Sequence, residues 1–504
     1  MKARRFLWIV ALGIAATAAG GPAAAAPSDR VAVIVAPASA PVFRSPRAAH
    51  GLLVVGEGAT VSRRGALASL VRGEMGNAIV SGGLPGGKPL ISLSRGPAQV
   101  TFYVALPSPG KHHNVRRYPI AVVGSGYHGL LTDSSTRLPG LISIADVAPS
   151  ARALERGERP SIRAEPEQDP RGRLASFDRR LGQAHDSRVA ATLVLVGWLI
   201  VLCLAGLVTR LPALCRAAFL VPSTCIASAV ALSAAGVSPH AAVLGVAVLG
   251  GGGALLGGAF LPPRLPLAIA LTALFAFLFA VMWAEPAWNA LAVIGPHPDG
   301  GGRFYGVTNQ VETLLLPPAL VLGALAGARL LPVVGLALAA GIATSRIGAD
   351  GGGLVVYLAG FLVLWLRLRP LPARRAAAAV AVAAGAALLL VGIDAATGGS
   401  SHVTKAVGGG PGSVLGDLGH RLHLSAASIA STWNNALLFA LGIVALVVLA
   451  LQRPRSALLD ACLVALAVSF LVNDTPTDVA GYGGFAALGL WLLTRSEEGR
   501  GRLQ

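Results

Sequence analysis

The chain has 504 residues, 54% of them hydrophobic and only 13% charged, with a formal net charge of +18 and a mean hydropathy of +0.67. A soluble chain of this length carries roughly a quarter charged residues, so an ordinary soluble protein is excluded. The basic surplus sits largely at the ends of apolar runs, where it orients a membrane protein, and this argues against nucleic acid as a partner.

Residues 1–26 join a basic start, MKARR, to an apolar stretch ending in small residues, and read as a signal peptide or an uncleaved signal anchor. Either outcome puts Pro27 onward outside the cytoplasm. Residues 27–150 carry β-rich runs, VAVIVA, GLLVVGEG, QVTFYVAL and YPIAVVGSG, separated by turn residues. Between them SRRGALASLVRGEMGNAIV predicts an amphipathic helix. The pattern implies a small extracytoplasmic α/β domain. Residues 151–188, rich in Arg, Glu, Pro and Gln, predict a polar linker leading to the membrane.

From Val189 charges retreat into short clusters between apolar runs. Spans are expected near 189–209, 214–234, 240–260, 266–284, 307–328, 330–344, 352–366, 376–393, 434–451, 457–471 and 479–493. The expected fold class is therefore a mainly α-helical polytopic membrane bundle over 189–496, with about eleven C-terminal transmembrane helices, an N-terminal signal or anchor, and the small α/β domain. With Val189 outside, the inner turns hold Arg210 and Arg216, Arg264, Arg329, Arg367 to Arg375, Arg453 and Arg455, and Arg495 to Arg502. Every basic turn then falls inside, which predicts a multi-pass plasma-membrane protein with 27–188 outside and the C-terminus in the cytoplasm. The four cysteines, Cys203, Cys215, Cys225 and Cys462, lie in or beside apolar runs without metal-ligand spacing.

In this arrangement all ten histidines fall outside or at outer helix ends, and so do the polar motifs of the membrane part. Function is expected on that face. In HPDGGGRFYGVTNQVETLLL a Gly-rich turn leads into a helix on which Asn309 and Glu312, three apart, share a face. An ionisable residue at the depth of Glu312 lines a polar cavity, meets a cation, or forms a packing ion pair with Arg303. SRIGADGGG comes after the short span 330–344 and predicts a broken helix exposing Arg346 and Asp350, or a tight turn closed by an Arg346–Asp350 pair. The loop 394–432 contains GGSSHVTK, with His402, and GHRLHLS, with His420, Arg421 and His423, on a predicted interfacial helix. Finally NDTPTD supplies Asn473, Asp474 and Asp478, or simply a Pro-containing turn. There is no P-loop, HExxH, GxSxG or CxxC, so neither a cofactor nor a metal is expected.

Taken together, HPDGGGRFYGVTNQVETLLL, SRIGADGGG, GGSSHVTK and LVNDTPTD resemble an uncharacterised family of bacterial polytopic membrane proteins, in order from Val189 to the C-terminus. The stretch LLTDSSTRLPGLISIADVAPSARAL resembles the end of alkaline-phosphatase-like domains, whose D-x-x-P-T pattern reads here Asp146, Val147, Ala148, Pro149 and Ser150. That resemblance implies a reduced, non-catalytic version, because the domain is short and lacks an Asp/His metal cluster with a Ser or Thr nucleophile. The order of anchor, outer domain and many helices is similar to that of membrane phosphoethanolamine transferases. The membrane part is loosely similar to O-antigen-ligase-type glycan transferases, which carry an SR-G element like Ser345, Arg346 and Gly348.

These resemblances imply action on a lipid-linked, phosphate-bearing envelope substrate. Arg303, Arg346 and Arg421 would hold phosphates. Glu312 or Asp350 would serve as base toward an acceptor hydroxyl. Tyr305, Asn309, His402, His420, Asn473 and Asp474 would complete the binding surface. The expected partners are membrane lipids and a lipid-linked glycan or anionic envelope polymer. A transporter using Glu312 as its ion or proton site, and a non-enzymatic envelope scaffold, are the competing classes. The topology is testable. On intact cells an impermeant thiol reagent should label Ser400→Cys or Thr477→Cys and leave Arg374→Cys untouched; labelling of Arg374→Cys alone would invert the orientation.

Overall fold

The computed structural model describes residues 31–76, 84–262, 264–396, 433–473 and 475–498. Alternating runs such as VAVIV and VTFYV form strands because their β-branched and aromatic side chains pack on a pleated surface. The strands are β1 (Val31–Val35), β2 (Ala48–Val54), β3 (Thr60–Ser62), β4 (Val100–Val104), β5 (Lys111–His113), β6 (Tyr118–Val123), β7 (Gly129–Asp133), β8 (Leu141–Ser143) and β9 (Ile162–Glu165). Seven make one mixed sheet in the order β1-β4-β6-β2-β7-β9, with β8 also pairing β2, while β3 and β5 form a separate ribbon. Helices α1 (Arg63–Arg72) and α2 (Val147–Glu155) accompany the sheet, whose core includes Leu70, Phe102, Ile120, Leu131, Ile142 and Ile162. The helix predicted over SRRGALASLVRGEMGNAIV is thus shorter than expected. Ser62 caps its start by accepting from the Gly65 amide, and Gly73, at φ +67°, ends it in a left-handed turn.

The polar linker expected over 151–188 is a folded segment instead. Strand β9 adds an antiparallel edge to β7, and from Pro170 a single 40-residue helix, α3 (Pro170–Thr209), runs to the far end of the bundle. Composition hid this because most of its first half is polar. The buried residues Leu174, Leu181, Ala184, Arg188, Ala191, Leu195, Leu199 and Leu202 nevertheless form one stripe at three- and four-residue spacing. Leu181 and Phe177 pack with Leu138 and Leu141 of the sheet domain, and Arg117 pairs with Asp178 at 2.6 Å. One helix therefore belongs to both halves of the molecule.

The rest is helical: α4 (Pro212–Ala234), α5 (Pro239–Phe260), α6 (Leu265–Ala284), the short α7 (Pro286–Ala290), α8 (Asn309–Leu325), α9 (Gly327–Ala343), α10 (Gly351–Leu368), α11 (Ala373–Ala396), α12 (Trp433–Leu451), α13 (Ala457–Val472) and α14 (Gly483–Glu498). Among the described residues six helices, α3, α4, α5, α6, α10 and α11, are long and apolar enough to cross a membrane. The sequence pattern leads one to expect about eleven. A 16- or 17-residue helix such as α13 or α9 is only about 25 Å long, against a hydrocarbon core of about 30 Å. Exposed Leu, Val and Phe residues on α3, α5 and α6 form apolar outer faces suited to lipid. Helix α8 is enclosed by its neighbours, with Leu314, Leu315, Leu316 and Leu320 fully buried.

The D-x-x-P-S stretch has a structural role in the sheet domain. Asp133, at the end of β7, accepts from the Ser135 and Ser143 amides, while Asp146 accepts from the Ser135 hydroxyl at 2.5 Å. Burial pushes the Asp133 carboxyl well above the usual range, and the negative charge of Asp146 pushes it further. A raised acid favours the folded state at low pH and costs stability as pH climbs through the interval between its unfolded and folded values. Asp146→Asn removes the repulsion, so its thermal stability should decline less between mildly acidic and neutral pH than that of the parent protein. Identical pH profiles for the two would show that the carboxyl pair is not coupled.

Candidate functional site

Among the described residues, the HPDGGGRFYGVTNQVETLLL and SRIGADGGG motifs meet Asn473 at the end of the bundle nearest the sheet domain. The loop after α7 is anchored first. Asp299, 2% exposed, receives Arg188 Nη1 at 2.5 Å and His185 Nδ1 at 2.6 Å, both from α3. The carbonyl of Gly300 then accepts from the Gly58 amide and from Asn114 Nδ2 in the sheet domain. Gly301 sits at φ +73°, where an added Cβ would lie 2.3 Å from the Gly56 carbonyl, so only glycine allows this docking.

Beyond that anchor the HPDGGGRFYGVTNQVETLLL and SRIGADGGG segments cross. The Val307 amide donates to the Gly348 carbonyl at 2.8 Å, and the Tyr305 hydroxyl to the Ser345 carbonyl at 2.7 Å. Gly306, at φ +86°, has no room for a Cβ, which would stand 2.2 Å from the Gly348 carbonyl. Asn289 Nδ2 donates to the Gly306 carbonyl. The crossing aims two helix starts at one place. Thr308 caps α8 through the Val311 amide, and Asp350 caps α10 through the Gly353 amide.

Two buried carboxylates lie at this junction. Glu312, in the first turn of α8, has no exposed surface; its Oε2 accepts from Asn473 Nδ2 at 2.8 Å, and Asn473 also donates to Ser469 Oγ. Among the described residues no donor reaches Glu312 Oε1. Asp350, 3% exposed, turns Oδ1 to its helix and Oδ2 toward Arg303 Nη1 at 3.5 Å, an ion-pair contact longer than a hydrogen bond. The two carboxyl groups are close enough to repel each other when both are ionised. The Tyr357 hydroxyl donates to the Glu312 backbone carbonyl.

A cationic rim lies next to the pair. Arg303 also donates to the Val307 carbonyl. From the sheet domain Arg137, at φ +54°, places its guanidinium 5.0 Å from the centre of the Tyr305 ring. Its two terminal nitrogens donate to the backbone carbonyls of Arg346 and Trp283. A non-glycine residue in the left-handed region is uncommon and marks a strained position. The Arg346 side chain is exposed beside it.

Of the residues singled out in the sequence, Arg303, Glu312, Asp350 and Asn473 come together, with Tyr305 and Asn309 adjoining; Asn309 Nδ2 donates to Thr475 Oγ1 at 2.7 Å. The two ion pairs that the sequence offered as alternatives do not form. Arg303 joins Asp350 rather than Glu312, and Arg346 pairs with neither carboxylate. His402, His420, Arg421 and Asp474 lie outside the described residues, although Asp394, where the loop holding the first three starts, accepts from the Ser345 amide and hydroxyl. Sequence reasoning missed Arg137, Tyr357, Ser469 and the Arg188–Asp299 anchor. Only Arg188, a charge directly before a long apolar run, carried a local signal.

Comparison of the chain with protein-family models, with curated proteins and with solved structures returned no match.

Removing one member of the Arg303–Asp350 pair strands the other. Arg303→Gln should lower stability by on the order of 3 kcal/mol, and adding Asp350→Asn, which keeps the helix cap, should recover much of it. Thermal unfolding in detergent measures both; strictly additive losses would show that the pair is not energetically coupled.

Proposed function

We propose that the chain acts in the cell envelope, as a multi-pass plasma-membrane protein that binds a lipid-linked, phosphate-bearing substrate at its outer face. The observation that carries this reading is the gathering of Arg137, Arg303 and Arg346 around Tyr305, where the sheet domain meets the helix ends. Guanidinium groups form forked, charge-assisted hydrogen bonds that suit phosphate oxygens, and Arg346 is exposed to receive them. The basic turns of alternate helices support an orientation with the sheet domain and this rim outside the cytoplasm. A lipid-linked ligand fits a site at the membrane's edge, because its tail can stay among the apolar helix faces while its phosphate meets the rim. Partial engagement of Arg137 by backbone carbonyls keeps its guanidinium in place without neutralising it.

The reading is tested by extracting the full-length protein in mild detergent and identifying co-purifying lipids by mass spectrometry. The parent protein should carry a phosphate-bearing lipid that is depleted in Arg137→Gln/Arg346→Gln, while the unfolding temperature stays close to the parent value. An unchanged lipid profile in a folded double variant would sink it.

A further inference from the structure

Beneath the rim, the carboxylate pair has a feature that anion binding does not use. Glu312 Oε1 and Asp350 Oδ2 are buried acceptors that receive no hydrogen bond among the described residues. A buried carboxylate oxygen without a donor or counter-charge is costly, and Glu312 has only an amide on its other oxygen. Asn473 adds a third oxygen. Its Nδ2 is committed to Glu312 and Ser469, while its Oδ1 faces Gly352, where an added Cβ would stand 2.6 Å from it and 3.6 Å from Asp350 Oδ1. The side chains of Glu312 on α8, Asp350 at the start of α10 and Asn473 at the end of α13 are thus immediate neighbours, with two unpartnered carboxylate oxygens among them.

We propose that Glu312, Asp350 and Asn473 form a binding site for one small, hard cation of single charge, of which Na+ is the abundant example. The donor set is all oxygen, which suits hard cations and not thiophilic or imidazole-seeking metals. Charge limits the ion to one positive unit. Arg303 already offsets one of the two negative charges, so a divalent ion would leave the enclosed place with excess positive charge, whereas a monovalent ion balances it. Neither Arg303 nor a helix end gives Glu312 Oε1 a partner; a monovalent ion does. Of the rim the inference uses only the charge of Arg303, and its test reads cation binding rather than lipid, so it can fail separately from the phosphate-bearing substrate.

The test is equilibrium binding of 22Na+ to the full-length protein in detergent, beside thermal unfolding in NaCl, KCl and choline chloride at equal ionic strength. Saturable binding of one Na+ per chain is expected, with NaCl raising the unfolding temperature above choline chloride. Both effects should be lost in Glu312→Gln and in Asp350→Asn and kept in Arg346→Gln. Should the carboxylate variants fail to fold, the parent protein alone decides, because absence of saturable 22Na+ binding overturns the proposal. Binding that persists unchanged in folded Glu312→Gln overturns it as well. So does stability that varies with pH but is the same in Na+ and choline, which would mean that the pair holds a proton or acts only as a base.

Discussion

The buried carboxylate of Asp299 is the contact on which the arrangement of the two halves depends. Burial opposes its charge, but the Arg188 guanidinium and the hydrogen bonds from Arg188 and His185 outweigh that and hold the group below the usual carboxylate range. Both oxygens are satisfied by one helix, α3, which also carries Leu181 into the sheet domain and Leu195 and Leu199 into the bundle. Arg188 additionally donates to the Pro296 carbonyl. The loop is thereby pinned at Pro296 and Asp299, leaving Gly300 to dock on Asn114 and Gly58 and Arg303 to face Asp350. Without this anchor the loop has no reason to pass between the two domains.

The pinned loop is a stretch of irregular backbone at helix ends, tolerable only if its polar groups are met within the protein. They are met by crossing. Val307 and Tyr305 donate across to the carbonyls of Gly348 and Ser345, while the Gly348 and Asp350 amides turn back to the carbonyls of Gly341 and Ile342 at the end of α9. The glycines at 306 and 348 are required by proximity, since a Cβ at either would overlap a carbonyl oxygen. The same crossing sets the electrostatics. Two helix N-termini converge, which favours carboxylates there, and the end of α13 brings in Asn473 as their polar neighbour.

Local patterns were legible in the sequence and long-range pairings were not. Alternating runs announced β1, β4 and β6, and apolar runs announced the long helices, because burial repeats at the period of each element. Spacing alone put Asn309 and Glu312 on the first turn of α8. The stripe through 174–202 was hidden by a polar composition that describes only the exposed faces of α3. The choice of Asp350 over Glu312 by Arg303 depends on a loop crossing that no local rule encodes. Arg137 is the extreme case. It lies more than 160 residues from Tyr305 and 209 from Arg346, in another domain, and nothing in TDSSTRLPG distinguishes it from a surface arginine.

The two most deeply enclosed glutamates show what the fold itself requires. Glu497, near the other end of the bundle, has no exposed surface, and it faces Arg216 at 3.3 Å, itself tied to the Gly258 carbonyl. That is a charge kept by its opposite, and its role in packing is sufficient reason for it. Glu312 is as deeply enclosed but, among the described residues, has no cation on either oxygen. Its one side-chain partner, Asn473, is a neutral donor that a glutamine oxygen would accept from equally well, and Ser469 already shares that donor. The helix start is capped by Thr308, and the surrounding leucines would pack as well against an uncharged residue. Folding therefore does not call for a charge at Glu312. Its unpartnered oxygen lies beside a second carboxylate and directly behind the arginine rim, at the only place among the described residues where all these groups meet.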